Sequence, residues 1–177
     1  MITAENIGHR YVTDITFQSS EKCRSIMIDT GAVCSCITKG ALLKLLPNYR
    51  DYIDGLFSDD VNSGSVVVAD GTRVQSIPII LRYMRIDDLY LNSFYCNIID
   101  SEYELAVIGM DLITAFGEGS YSYDGPLTLT SFSEHEYEQT CIDIYKAKSI
   151  HEINIIDEDG TDTGLSKLIS AASASSK

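Results

Sequence analysis

The sequence has few basic residues, no long hydrophobic run and no recognisable export signal. Its 177 residues include 13 Lys and Arg against 26 Asp and Glu, which gives a formal net charge of -13. Nucleic acids and anionic membranes attract clustered basic residues, so we expect neither kind of partner. No apolar run approaches the roughly 20 residues that cross a bilayer. The N-terminus lacks the basic and apolar segments of a signal peptide, and we therefore expect a cytoplasmic protein.

The cysteines do not follow a metal-binding pattern. An odd number of cysteines without a signal segment predicts free thiols in a reducing compartment. Cys34 and Cys36 are one residue apart, whereas structural zinc sites usually have longer gaps and a second pair. The histidines are far apart in the sequence. We therefore expect buried thiols, with no metal and no cofactor. The five cysteines are Cys23, Cys34, Cys36, Cys96 and Cys141.

Alternating and β-branched segments predict a mainly β domain. The leucine spacing in residues 39–46 predicts a helix that stops at Pro47, and residues 111–116 can form a short helix closed by Gly117. Residues 48–65 are rich in Asp, Gly, Ser and Asn, so we expect a loop there. Asp70-Gly71 is a strong hairpin signal. Strands are predicted at residues 11–17, 22–28, 65–69, 72–75, 77–83, 89–100, 106–108 and 127–130.

The triplet Asp29-Thr30-Gly31 follows the apolar residues 26–28 and is the strongest candidate for a catalytic site. One carboxylate cannot be both general base and general acid on the same water, but two carboxylates that share a proton can. A two-fold dimer brings a residue near its own copy, so one motif is enough if the chain dimerises. A second triplet, Asp162-Thr163-Gly164, lies in a charged stretch with no apolar strand before it, which predicts a solvated turn.

Residues 26–37 resemble the active-site signature of retropepsin-like aspartic proteases, the retroviral and bacterial single-lobe peptidases. In that signature an apolar strand precedes Asp-Thr-Gly-Ala, followed by Ser or Thr and an apolar residue, which Ser35 and Ile37 match. Residues 105–113 resemble the second conserved segment of the family, an apolar strand, a glycine and a short helix. Residues 67–72 lie where the family has its substrate-covering flap. The resemblance spans residues 11–117 in the family's order.

This resemblance implies a closed antiparallel β-barrel-like acid-protease single lobe with one or two short helices. It implies that Asp29 is catalytic, that Thr30 links the two active-site loops of a homodimer, and that backbone groups bind a peptide or protein substrate. We expect the protease domain to span residues 1–130. The other implied site residues are Gly31, Ala32 and Ser35 in the active-site loop, Ala69, Asp70 and Gly71 at the flap tip, and Val107 and Ile108 in a side-chain pocket.

Residues 131–177 form an acidic extension, for which strands are possible at 141–145 and 153–156, before a frayed Ser and Ala tail. Such an extension could alter or replace the dimer contact. The rival functions are therefore a non-catalytic binding or scaffolding protein on the same fold, and a latent self-processing protease. Asp111 could be the N-cap of the short helix, which would support the active-site loop from below. Asp70-Gly71 could equally be an ordinary hairpin turn.

Overall fold

The structure, a computed structural model, is mainly β, as the sequence predicts. It describes residues 1–17, 23–58, 64–67, 70–121, 125–148 and 154–156. Within these ranges, no helix is both long and apolar enough to cross a membrane. The second Asp-Thr-Gly triplet at 162–164 and the Ser and Ala tail lie outside the described residues.

Short strands and four helices follow one another along the described part of the chain. The strands are β1 Ile2–Ile7, β2 Arg10–Phe17, β3 Cys23–Ile28, β4 Cys36–Thr38, β5 Gly64–Val67, β6 Arg73–Ile86, β7 Leu89–Ile99, β8 Ala106–Ile108, β9 Phe116–Tyr121, β10 Leu127–Phe132 and β11 Asn154–Ile156. The helices are α1 Lys39–Leu45, α2 Arg50–Ser58, α3 Met110–Ile113 and α4 Glu134–Lys148, with a 3-10 turn at Pro47–Tyr49.

The strands form one mixed sheet in the order β11-β6-β7-β4-β8-β3-β2-β1-β10-β9, with β5 beside β6. A further antiparallel pairing of β2 with β6 closes a circuit through β6, β7, β4, β8, β3 and β2. Three pairings are parallel: β3 with β8, β4 with β7, and β11 with β6. The parallel pair β3 and β8 matters most for the site, because both strands end at the same edge.

The core forms because alternate residues of the long strands point to one side of the sheet. On β6, Ile77, Ile79 and Leu81 are fully buried, and on β7 so are Phe94 and Cys96. Burying one large aliphatic side chain stabilises the fold by about 1.5–3 kcal/mol. The antiparallel β6 and β7 hairpin therefore provides a rigid base for the shorter strands beside it.

The loop expected over residues 48–65 is wrong for half of its length, because α2 occupies Arg50–Ser58. Ile53 and Phe57, four residues apart, are buried on one face of this helix. Tyr49, Tyr52 and Leu56 pack against the core in partly buried positions. Helical spacing of these apolar residues outweighs the turn-forming composition of the segment.

The strand considered at residues 141–145 is also wrong, because this segment lies within α4. Tyr137, Cys141 and Tyr145 recur every four residues and are all buried. The strand considered at 153–156 is present as β11, which pairs in parallel with β6. The boundary at residue 130 remains a prediction, although α4 contributes these three side chains to the common core.

The remaining differences concern one short helix and three strands. The short helix expected over residues 111–116 ends at Ile113, and Phe116 begins β9 instead. The sequence analysis did not identify β1, β4 or β9. Residues 2–4 of β1 pair with β10, and β10 pairs in turn with β9.

Candidate active site

Asp29 lies directly after β3, at the edge of the sheet where the parallel strand β8 also ends. Ile28 and Ile108 are partners in the β3–β8 register. One residue further, the backbone N–H of Asp29 donates to the carbonyl oxygen of Ile108 at 3.0 Å. The N–H of Gly31 donates to Oδ1 of Asp29 at 2.8 Å, and the N–H of Ala32 donates to the Asp29 carbonyl at 3.2 Å. These bonds fix both the backbone and the carboxylate of Asp29.

The candidate active-site loop, residues 29–35, is held against the start of α3 by two backbone hydrogen bonds. The N–H of Met110 donates to the carbonyl of Ala32 at 2.7 Å, and the N–H of Asp111 donates to the carbonyl of Val33 at 3.2 Å. The loop backbone lies so close to residue 109 that a Cβ there would be 2.7 Å from the carbonyl carbon of Cys34. Only glycine fits at residue 109, which gives the Val-Ile-Gly pattern a steric cause.

A buried polar network joins Ser35 of this loop to Asp111 of α3. Ser35 donates twice to the Asp111 carboxylate, from its hydroxyl to Oδ1 at 2.7 Å and from its N–H to Oδ2 at 2.9 Å. The Ser35 hydroxyl also accepts from the N–H of Gly109 at 3.0 Å. The relative exposure is 0% for Ser35 and 1% for Asp111. The serine of the motif therefore acts inside the protein, beneath the loop, rather than at its surface.

Two further groups donate hydrogen bonds to the Asp111 carboxylate. The N–H of Leu112 donates to Oδ1 at 2.9 Å, and the hydroxyl of Tyr145 in α4 donates to Oδ2 at 3.3 Å. Burial raises the pKa of Asp111, while the hydrogen bonds from Ser35, Leu112 and Tyr145 act in the opposite direction. Four donors and no acceptor surround the carboxylate in these contacts, an arrangement that suits the ionised form.

The loop surface near Asp29 is open. Asp29 is half-buried, Thr30 and Gly31 are exposed, and Val33 is 70% exposed. Asp29 has no ion-pair partner in the part of the chain that the structure describes. A partly exposed carboxylate on a fixed loop is available to bind water or substrate.

The neighbouring thiol of Cys36 responds to the same acidic surroundings. The pKa of Cys36 is raised to about 11, first by burial and then, in decreasing order, by the charges of Asp111, Cys34 and Asp29. Cys36, Cys96 and Cys141 are free thiols, as the sequence analysis expects. Over the described ranges, no group of three or more His, Cys, Asp or Glu side chains could hold a metal ion.

The hairpin that corresponds to the expected flap is formed by β5 and the beginning of β6. Val67 pairs with Arg73, and Ser76 is the first β6 residue that also pairs with β7, opposite Ile99. The tip therefore extends beyond the end of β7. At the turn, the N–H of Thr72 donates to Oδ1 of Asp70 at 2.8 Å, and Gly71 has φ +86°, which favours glycine.

The tip itself is solvent-exposed at Asp70 and Gly71. The hydrogen bonds from Thr72 hold the pKa of Asp70 below its usual value. Ala69, the third residue expected at the flap tip, lies outside the described residues.

The two expected pocket residues are buried within the single chain. Val107 is 5% exposed and Ile108 is 0% exposed. They point to opposite faces of β8, as neighbours on a strand do, and Ile108 belongs to the main core cluster. The structure therefore places both beside the Asp29 loop, and their role as pocket residues remains a prediction.

Two residues of the site differ from the sequence interpretation. Gly109, not Asp111, is the N-cap of α3, and it makes no side-chain capping bond. Instead, Asp111 binds Ser35, which makes the short helix a support for the loop, as expected. Tyr145 was not identified as a site residue, because nothing local in the sequence indicates that a helix 34 residues beyond Asp111 returns to it.

Solved structures that are similar to this chain include two proteins with low sequence identity to it. A retropepsin-like aspartic protease from Rickettsia conorii has 15% identity and a TM-score of 0.47, with 75% of this chain and 92% of that chain covered. The retroviral protease-like domain of Ddi1 from Leishmania major has 15% identity and a TM-score of 0.38, with 70% and 94% covered. No family model and no curated protein matches the sequence. At these identities and scores, function has to be inferred from the residues of the site.

Proposed function

We propose that this protein is an aspartic endopeptidase that hydrolyses peptide bonds with a water held between Asp29 and the Asp29 of a second copy. The observation that supports this most directly is the geometry of Asp29. Its carboxylate is half-exposed, and its loop is fixed by bonds to Ile108 and Gly31 and by the buried Ser35–Asp111 pair beneath it. Catalytic groups need this combination of access and fixed position.

The reaction requires one proton shared by the two carboxylates. The ionised carboxylate takes a proton from the water as it attacks the peptide carbonyl, and the protonated carboxyl donates its proton to the carbonyl oxygen. When the C–N bond breaks, the leaving nitrogen takes up a proton from the pair. Activity should therefore fall at pH values where the pair holds either no proton or two.

Substrate binding in this proposal uses the surfaces around the loop. An extended peptide would pair with the hairpin tip, which is exposed at Asp70 and Gly71, and backbone groups of these two residues and of Ala69 would bind it. Gly31 and Ala32 would offer backbone groups from the other side, and Thr30 would link the two loops of the homodimer. Of the two expected pocket residues, Val107 would line a pocket beside the loop, whereas Ile108 faces the core cluster on the other side of β8.

The test compares two identical substitutions in the chain's two Asp-Thr-Gly triplets. Wild type, Asp29→Asn and Asp162→Asn are incubated with an internally quenched peptide library and with unfolded protein. We expect Asp29→Asn to lower the rate by about 1,000-fold or more, because the shared-proton pair is lost. We expect Asp162→Asn to retain wild-type activity. Mass spectrometry of the products identifies the cleaved bonds.

Full peptidase activity in Asp29→Asn would refute the proposal. If wild type is dimeric by sedimentation yet cleaves nothing across the library, the binding or scaffolding function is favoured instead. Asp29-dependent trimming of the protein's own C-terminal region during storage would favour the latent, self-processing form.

A further inference from the structure

Helix α4 reaches the polar network under the active-site loop through one side chain. Tyr145 is fully buried, and its hydroxyl donates to Oδ2 of Asp111 at 3.3 Å. The same oxygen accepts from the N–H of Ser35 at 2.9 Å. The C-terminal helix and the active-site loop therefore meet at a single carboxylate oxygen.

A second buried tyrosine on the same helix makes a different contact. Tyr137 is 1% exposed, and its hydroxyl accepts from the N–H of Tyr95 in β7 at 2.9 Å. Its ring packs edge-on against Tyr95 at a centroid distance of 6.1 Å. Tyr137 thus anchors α4 to the sheet, whereas Tyr145 connects α4 to Asp111.

We propose that Tyr145 is a positioning residue that makes α4 part of the active site. Its hydroxyl orients the Asp111 carboxylate, which in turn holds the backbone and hydroxyl of Ser35 and so fixes the loop that contains Asp29. The effect on catalysis rests on the proposed peptidase function, but the effect on the loop does not.

The bonding pattern explains why one hydroxyl has this effect. Oδ1 of Asp111 accepts from the Ser35 hydroxyl and from the N–H of Leu112, so it is bound from both sides. Oδ2 accepts from the Ser35 N–H and from Tyr145. Without the tyrosine hydroxyl, Oδ2 keeps only the bond to the loop itself, and among the described residues no group outside the loop and α3 donates to the carboxylate.

The experiment compares Tyr145→Phe with the matched control Tyr137→Phe in the full chain. Each variant loses one buried hydroxyl from the same helix, and we expect each to lower the Tm by about 2–4 °C. Amide hydrogen exchange is then measured residue by residue under native conditions. We expect Tyr145→Phe to speed exchange of the Ser35 and Gly109 amides by about tenfold relative to Tyr137→Phe. The control should instead speed exchange of the Tyr95 amide.

Peptidase kinetics form the second arm. We expect Tyr145→Phe to lower kcat by about tenfold with a smaller rise in KM, since a displaced loop misplaces the reacting carboxylate and also shifts the Gly31 and Ala32 groups that would bind the peptide. Tyr137→Phe should keep the wild-type kcat. Equal exchange at Ser35 in both variants, or equal kcat, would overturn the positioning role. If wild type shows no Asp29-dependent activity, the peptidase proposal fails, and exchange at Ser35 alone decides whether Tyr145 positions the loop.

Discussion

Asp111 is a buried carboxylate that depends on hydrogen bonds, because the described part of the chain supplies it with no basic partner. Its four donors come from Ser35, Leu112 and Tyr145. An asparagine would turn one acceptor oxygen into an NH2 group that faces donors. We expect Asp111→Asn to lower the free energy of unfolding by about 2–4 kcal/mol, measured by urea denaturation of the full chain.

Burial raises the pKa of Asp111. The free energy of unfolding that is lost in Asp111→Asn therefore depends on pH. Between the ordinary aspartate pKa and the raised value, the folded protein binds more protons at this residue than the unfolded chain does. The stability that wild type draws from Asp111 therefore decreases as pH rises through that interval. The difference between wild type and Asp111→Asn should shrink over the same interval. A difference that widens with pH would mean that folding lowers the pKa.

At the scale of single residues, the sequence indicated the loop but not its support. Asp29, Gly31 and Ser35 could be selected because they form one local motif after an apolar strand. The bond between Ser35 and Asp111 joins residues 76 positions apart, so no local pattern predicts it. Asp111 was singled out, but as a helix cap, since a helix start is the commonest local reason for an aspartate there.

At the scale of elements, α1 is joined to two neighbours through its first residue. The ammonium group of Lys39 lies 3.0 Å from Asp54 of α2, 3.2 Å from Asp100 and 3.4 Å from Glu102, both just after β7. The Lys39 side chain is 14% exposed. By contrast, Lys44 of the same helix pairs at 3.2 Å with Glu104, and both are about half exposed.

We expect Lys39→Met to destabilise the protein by roughly 1 kcal/mol, a value kept small because water screens the half-exposed partners. Lys44→Met should change stability by less than about 0.5 kcal/mol. Thermal unfolding of both variants at low and at high salt measures the two effects. If the variants lose equal stability at low salt, the cluster at Lys39 does not join the three elements.

Elements were predictable where one pattern dominated the segment. β2, β7 and β8 have clear apolar or alternating residues, and α1 has a leucine repeat that ends before Pro47. The helix α4 was missed because residues 141–145 alternate like a strand when taken alone. Its helical repeat becomes visible only when Tyr137 is included with Cys141 and Tyr145. The segment forms a helix because the face with Tyr137, Cys141 and Tyr145 is buried against the rest of the fold.

At the scale of the whole molecule, the described fold brings one Asp29 to the sheet edge. The proposed chemistry needs a second carboxylate, and the single chain has no other Asp-Thr-Gly triplet after an apolar strand. The sequence predicted the mainly β architecture, because strand patterns act locally. The sequence predicts a homodimer only through the need for a second carboxylate and through the family resemblance, since surfaces that meet between copies leave no periodic signal in one chain.

The dimer can be tested by mixing wild type with Asp29→Asn at equal amounts and constant total concentration. If chains exchange at random and only pairs with two Asp29 carboxylates work, about one quarter of the dimers are active. The rate should then fall to about one quarter of the rate of pure wild type. Independent active chains would give about one half. If the Asp29→Asn chain is labelled uniformly with 15N, native mass spectrometry of the mixture before and after incubation shows whether mixed dimers have formed, so a rate of one half after full exchange would exclude the shared site.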